Sequence, residues 1–252
     1  MPSPYDFLVA GTRFRVVDVE TTVHEGVRLI VALAVVEIND GLTETVHSWL
    51  LNPLVPIDPI SQAIHGISDE DVAGCPTFED VSADVYDVLT NQGSCNTIWV
   101  AHNATFDTRA LAREFARSHL PWPTLPVLDT LALPETVGRN ELASMKLPAL
   151  ADALGISGLQ HHDPVSDATV TAGCLLQLLR GAASVGISDI PGLLAAHGDR
   201  TTLSLVETMG EVDQTPTFAH PIQPADHLAA HLQSLPDFSA SSVRLWARKF
   251  ME

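Results

Sequence analysis

Phe14-Arg15-Val16-Val17-Asp18-Val19-Glu20 reads as a valine-rich strand that runs on into Thr21-Thr22. Alternation places Asp18 and Glu20 on the same face of that strand. A strand so apolar is buried, and two acids on one face near its end are costly without a partner. The natural partner is a divalent cation, because hard Mg²⁺ or Mn²⁺ prefers oxygen ligands. A strand end with both carboxylates in solvent also explains the pair, so the two acids alone do not identify a metal site.

Working outward, Arg28–Ile38 is a long β-branched run and Glu44–Leu51 a third strand. Asn39-Asp40-Gly41 is the turn between them, so antiparallel pairing is expected. Residues 52–76 carry four prolines and one short helical stretch near Ser61–His65. Thr77 with Asp80 offers a capped start to a helix that ends around Leu89. Asn96–Ala101 is a short buried strand. Thr105–His119 is a helix with Leu111 and Phe115 on its apolar face and Arg109, Arg113 and Arg117 opposite. Pro126–Asp129 reads as a strand, Leu147–Leu154 as a helix stopped by Gly155, and Pro164–Leu179 as a helix with proline in its first turn. Three strands followed by alternating helices and strands make an α/β fold with a mixed sheet. Residues 1–12 read as a loose lead-in and 13–180 as the folded domain. Residues 181–252 read as an extension of glycines, prolines and short helical pieces.

The chain has 252 residues, 46% of them hydrophobic and 17% charged, which excludes wholesale disorder. Its formal net charge is −18, from 31 acids and 13 bases. Residues 29–108 hold twelve acids and no Lys or Arg. Such a surface repels nucleic acid over most of its area, so a polyanionic substrate needs a metal ion or a local basic strip. The longest apolar run, Leu29–Val36, is too short for a bilayer, which takes about 20 residues. No secretory leader is visible. Three scattered cysteines, Cys75, Cys95 and Cys174, fit a reducing cytoplasm better than a disulfide framework.

Two further stretches carry chemistry. Val100-Ala101-His102-Asn103-Ala104-Thr105-Phe106-Asp107 ends a strand at His102-Asn103 and sets Asp107 in the first turn of a helix. An acid there suits the helix dipole, which accounts for the aspartate but not for the His-Asn before it. His161-His162-Asp163-Pro164-Val165-Ser166-Asp167 places Asp167 in the first turn of the last core helix, with Asp163 as a candidate cap.

Asp18-Val19-Glu20-Thr21-Thr22, His102–Asp107, and His162 four intervening residues before Asp167 together resemble the DEDDh 3′–5′ exonucleases. This DnaQ-like group contains polymerase proofreading subunits, ribonuclease T and oligoribonuclease. Lesser shared features are Ile64-His65-Gly66-Ile67, Pro76-Thr77-Phe78 and Leu128-Asp129-Thr130-Leu131. The resemblance covers residues 13–180. It departs at Val23, where glycine is usual, and at Pro164, where alanine is common; both sit beside catalytic positions.

The resemblance implies an RNase H-like fold, a mixed five-stranded sheet flanked by helices. It implies hydrolysis of phosphodiester bonds from the 3′ end of single-stranded or frayed nucleic acid, releasing nucleoside 5′-monophosphates. Asp18, Glu20, Asp107 and Asp167 are then the ligands of two divalent ions, Mg²⁺ or Mn²⁺, and His162 is the general base. Thr21, Ile64, His65 and Asn103 lie near the terminal nucleotide. Single-stranded DNA is the first substrate expected, in proofreading or repair, with oligoribonuclease-like RNA trimming as the alternative. In the extension, Gln214-Thr215-Pro216-Thr217-Phe218 resembles the peptides that dock proofreading subunits and polymerases on a sliding clamp, with Phe218 as the apolar anchor. Two other classes compete. The intact set of five residues argues against a non-catalytic binding module of the same fold. The His162–Asp167 spacing and Ile64–Ile67 argue against a phosphatase.

Overall fold

The computed structural model describes residues 3–90, 96–123, 125–139, 141–142, 144–157 and 162–198. Its strands are β1 (Arg13–His24), β2 (Val27–Asn39), β3 (Leu42–Leu50), β4 (Thr97–Ala101) and β5 (Val127–Asp129). Its helices are α1 (Pro4–Val9), α2 (Pro59–His65), α3 (Asp69–Val72), α4 (Phe78–Thr90) and α5 (Ala104–Arg117), followed by α6 (Leu133–Thr136), α7 (Leu147–Leu154), α8 (Pro164–Ser184) and α9 (Ile190–His197). The sheet order is β3-β2-β1-β4-β5. β1, β2 and β3 pair antiparallel, while β4 joins β1 in parallel and β5 joins β4 in parallel. The result is the expected mixed five-stranded sheet.

The β2–β3 turn is the two-residue Asp40-Gly41 loop, both residues at positive φ (49° and 75°), which matches strand twist. Gly41 is needed twice over, because a Cβ there would meet the Tyr5 hydroxyl at 2.7 Å and Val9 at 2.9 Å. Phe14 and Val16 of β1 face a core built with α7, α8 and α9. Val17 and Val19 face a second core built with α4 and α5. By the same alternation Asp18 and Glu20 face the α8 side.

The sequence suggests a loose lead-in over residues 1–12; the structure differs. Ser3 and Asp6 form a reciprocal capping box around Pro4, and Leu8 and Val9 of α1 are buried against α8. α8 also runs past Leu179 to Ser184, and α9 buries Leu193 in the same core. Gln214–Phe218 and the rest of residues 199–252 lie outside the described residues.

Candidate active site

β1 outlasts its parallel partner. The β1–β4 register runs only to Val16↔Val100, so Val19 lies beyond that ladder. Its amide needs an acceptor, and Asp107 Oδ1 takes it at 3.0 Å. This bond holds the Asp107 carboxylate against the backbone of β1, close enough to act electrostatically on Asp18 and with Glu20. The turn from β4 into α5 is held from β5: the Asp129 carboxylate accepts from the amides of Asn103 (2.9 Å), Ala104 (3.1 Å) and Leu131 (2.9 Å). Asn103 sits there in the left-handed region, φ 66°.

From the other face of the sheet, α8 contributes Asp167. Asp163 caps α8, accepting from the Val165 amide at 3.2 Å, as the sequence suggested. His162 precedes it at φ 61°, and its amide donates to Asp167 Oδ2 at 3.3 Å. Glu20, His162 and Asp167 each offer a ligand atom within 4.8 Å of the others. Opposite Asp18 and Glu20 on β2 stand Ala34 and Ala32, whose small side chains leave the carboxylates room, and a bulge follows Glu20.

The electrostatics follow from this convergence. Burial first, and then Asp107, Asp167, Glu20 and Asp163, push the Asp18 carboxyl well above its ordinary range. Asp107 is also raised well above it by burial, although the Val19 amide pulls the other way. Glu20 is pushed up to about 7 by burial, with Asp167 and Asp163 adding to it. Asp163 rises to about 6, again through burial first. These groups repel one another in their ionised forms, a repulsion that protonation or a bound cation relieves.

α2 packs against β1. Thr22 Oγ1 accepts from the Asp58 amide at 2.7 Å, and Asp58 in turn caps α2. His65 lies near the Thr21 backbone and near His162; burial and then His162 lower its pKa, against the Thr21 contact. Ile64 beside it is 51% exposed, whereas Thr21 is buried. Asn103 stands exposed at the head of α5 and makes no side-chain cap. Thr21, Ile64 and His65 thus share the α2 side, and Asn103 the α5 side. Sequence reasoning missed the positioning roles of Asp129 and Thr22, and the part Asp163 plays in the charge cluster. Asp129 was visible only as part of Leu128-Asp129-Thr130-Leu131. Val23 simply continues β1, paired with Arg28, and Pro164 is a buried first-turn residue of α8.

Residues 16–175 match the RNase T family of exonucleases. The chain belongs to that exonuclease family. It is 30% identical over 256 residues to the DNA polymerase III subunit epsilon of Pasteurella multocida, across 96% of each chain. It is 31% identical over 188 residues to the PolC-type DNA polymerase III of Thermotoga petrophila, but spans only 13% of that longer relative. Among solved structures, Exonuclease X in complex with 5′ overhanging duplex DNA is 28% identical, with a TM-score of 0.56 over 73% of this chain and 99% of that one. The nuclease domain of 3′hExo, a DEDDh member bound to rAMP, shares the exonuclease fold at 18% identity, with a TM-score of 0.56 over 67% of this chain and 92% of that one.

Proposed function

We propose that this exonuclease trims single-stranded or frayed DNA from the 3′ end, releasing nucleoside 5′-monophosphates, in a proofreading or repair setting. The observation that carries the reading is the meeting of Asp18, Glu20, Asp107 and Asp167 at the open end of β1, with His162 beside them. Four hard oxygen donors, three of them (Asp18, Glu20 and Asp107) with raised pKa values, fit a pair of divalent ions, Mg²⁺ or Mn²⁺. Asp18, Glu20, Asp107 and Asp167 would hold them. Such ions, when bound, activate water and neutralise the charge of the scissile phosphate.

The chain's own residues supply the rest. A ring nitrogen of His162, which lies beside Glu20 and Asp167, takes the proton of the attacking water. Asp107, fixed by the Val19 amide, keeps the two halves of the acid cluster in register. The exposed Ile64 side chain offers an apolar surface to the terminal base, while Thr21, His65 and Asn103 orient the nucleotide. DNA is favoured over RNA trimming because the similarity to the epsilon subunit runs through 96% of both chains. That span includes Gln214–Phe218, which supports a polymerase or sliding-clamp contact, in the cytoplasm. Among the described residues no helix is long and apolar enough to cross a membrane.

The test is release of 3′-terminal nucleotides from single-stranded DNA, RNA, a dinucleotide and a mismatched primer end. Asp18→Ala, Asp107→Ala and Asp167→Ala should each lose at least about a hundredfold in rate, some 2.7 kcal/mol of barrier. Undiminished cleavage in excess chelator, or in any of these variants, overturns the reading.

A further inference from the structure

Arg28 and Arg109 bracket the stretch of chain that has no basic residue, yet the fold brings their elements together. Arg28 pairs with Val23 on the β1–β2 hairpin, just past Glu20. Arg113 Nη1 of α5 donates to the Arg28 carbonyl at 3.2 Å. The Arg28 guanidinium lies over the Phe106 ring, 5.2 Å from its centroid. Phe106 and Arg113 are two helical turns apart, and Arg109 lies between them on the same stripe. Phe106 adjoins Asp107, so the stripe starts at the acid cluster and leads away from it.

We propose that Arg28, Arg109 and Arg113 form a phosphate-binding track for the strand upstream of the scissile bond. The proposal rests on the exonuclease reading above. On a chain of net charge −18, such a strip offsets repulsion of the polynucleotide backbone that lies beyond the reach of a metal site. Arginine suits it, because its planar fork grips phosphate oxygens. Stacking on Phe106 restrains Arg28 and lowers the ordering cost of binding. Of the two acids on the helix, Asp107 belongs to the acid cluster, and Glu114 is turned to Arg117 at 3.3 Å and to the Ile30 amide at 3.3 Å, though it also feels Arg113. Glu25 lies exposed at the hairpin tip. Such a track acts mainly on substrates long enough to lie along α5, a decanucleotide more than a dinucleotide. Substrate length, and not terminal base identity, is what these arginines read.

The experiment compares thymidine dinucleotide with decathymidylate, using the full chain and the triple variant Arg28→Ala, Arg109→Ala, Arg113→Ala. The variant should raise KM for decathymidylate about tenfold or more at low salt and leave its kcat and both dinucleotide parameters within about twofold. The salt slope of decathymidylate affinity should fall by about 2, three contacts at roughly 0.7 each for a single strand. The triple lysine variant should keep most of that slope. Anisotropy of labelled decathymidylate in chelator reads the same strip without turnover. An unchanged decathymidylate KM, or equal losses on both substrates, overturns the track. Failure of the wild type to cleave either substrate counts against the exonuclease reading, and the anisotropy then still decides the track.

Discussion

His162 and Asn103 are the two residues of the site held at positive φ, 61° and 66°. Asparagine tolerates that region; histidine pays on the order of 1 kcal/mol for it, a cost that persists where the surroundings impose the conformation. Here the His162 amide is tied to Asp167 Oδ2, so the backbone strain aims the ring at Glu20 and Asp167. His162→Ala should lower kcat by about 10²- to 10⁴-fold, the usual worth of a general base, while Mn²⁺ affinity in calorimetry stays within a few fold. A parallel collapse of Mn²⁺ affinity would make His162 a ligand instead of a base. At this scale the sequence was informative, because the spacing from His162 to Asp167 is local and is set by one helix start. The left-handed backbone at both positions was not, since it follows from contacts made by Asp129 and Asp167.

Between elements, Asp129 does the comparable work. One carboxylate takes three amides from the β4–α5 corner and from its own loop, while its backbone amide donates to His197 Nε2 of α9 at 3.3 Å. Asp129→Ala leaves three amides without their acceptor and should cost about 2 kcal/mol or more, seen as a melting temperature lower by roughly 4–8 °C. It should also lower kcat, because α5 carries Asp107. A melting temperature within about 1 °C of wild type would show that water replaces the carboxylate. Contacts of this kind join residues far apart in sequence, and no local pattern announces them. The strands were legible, since alternation, β-branched runs and Asp40-Gly41 are local signals. α1 was hidden because Pro2 and Pro4 read as breakers, although Ser3 with Asp6 spells a capping box around Pro4. The last turn of α8 and all of α9 owe their place to a shared core, with Ala182 and Leu193 buried in it.

For the whole molecule, the acid cluster links stability to pH and metal. Asp18, Glu20, Asp107 and Asp163 all have raised pKa values, burial being the first cause of each, and Glu20 reaches about 7. Between about pH 4, where the unfolded carboxyls titrate, and about pH 7, the folded metal-free protein therefore holds more protons than the unfolded chain. Stability must fall as pH rises through that window, and it goes on falling until the last of these carboxyls has ionised. The net charge of −18 pushes the same way through self-repulsion, so one profile cannot separate the two causes. Asp18→Asn can, because it removes one member of the cluster and changes the net charge by only one. In chelator, the wild-type melting temperature should drop by several degrees from pH 5 to pH 8, and Asp18→Asn should flatten that drop. Saturating Mg²⁺ binds the ionised cluster alone, so it should raise the wild-type melting temperature strongly at pH 8 and little at pH 5. An equal Mg²⁺ shift at both pH values, or an Asp18→Asn profile parallel to wild type, would mean that Asp18, Glu20 and Asp107 do not share one cation-binding cleft.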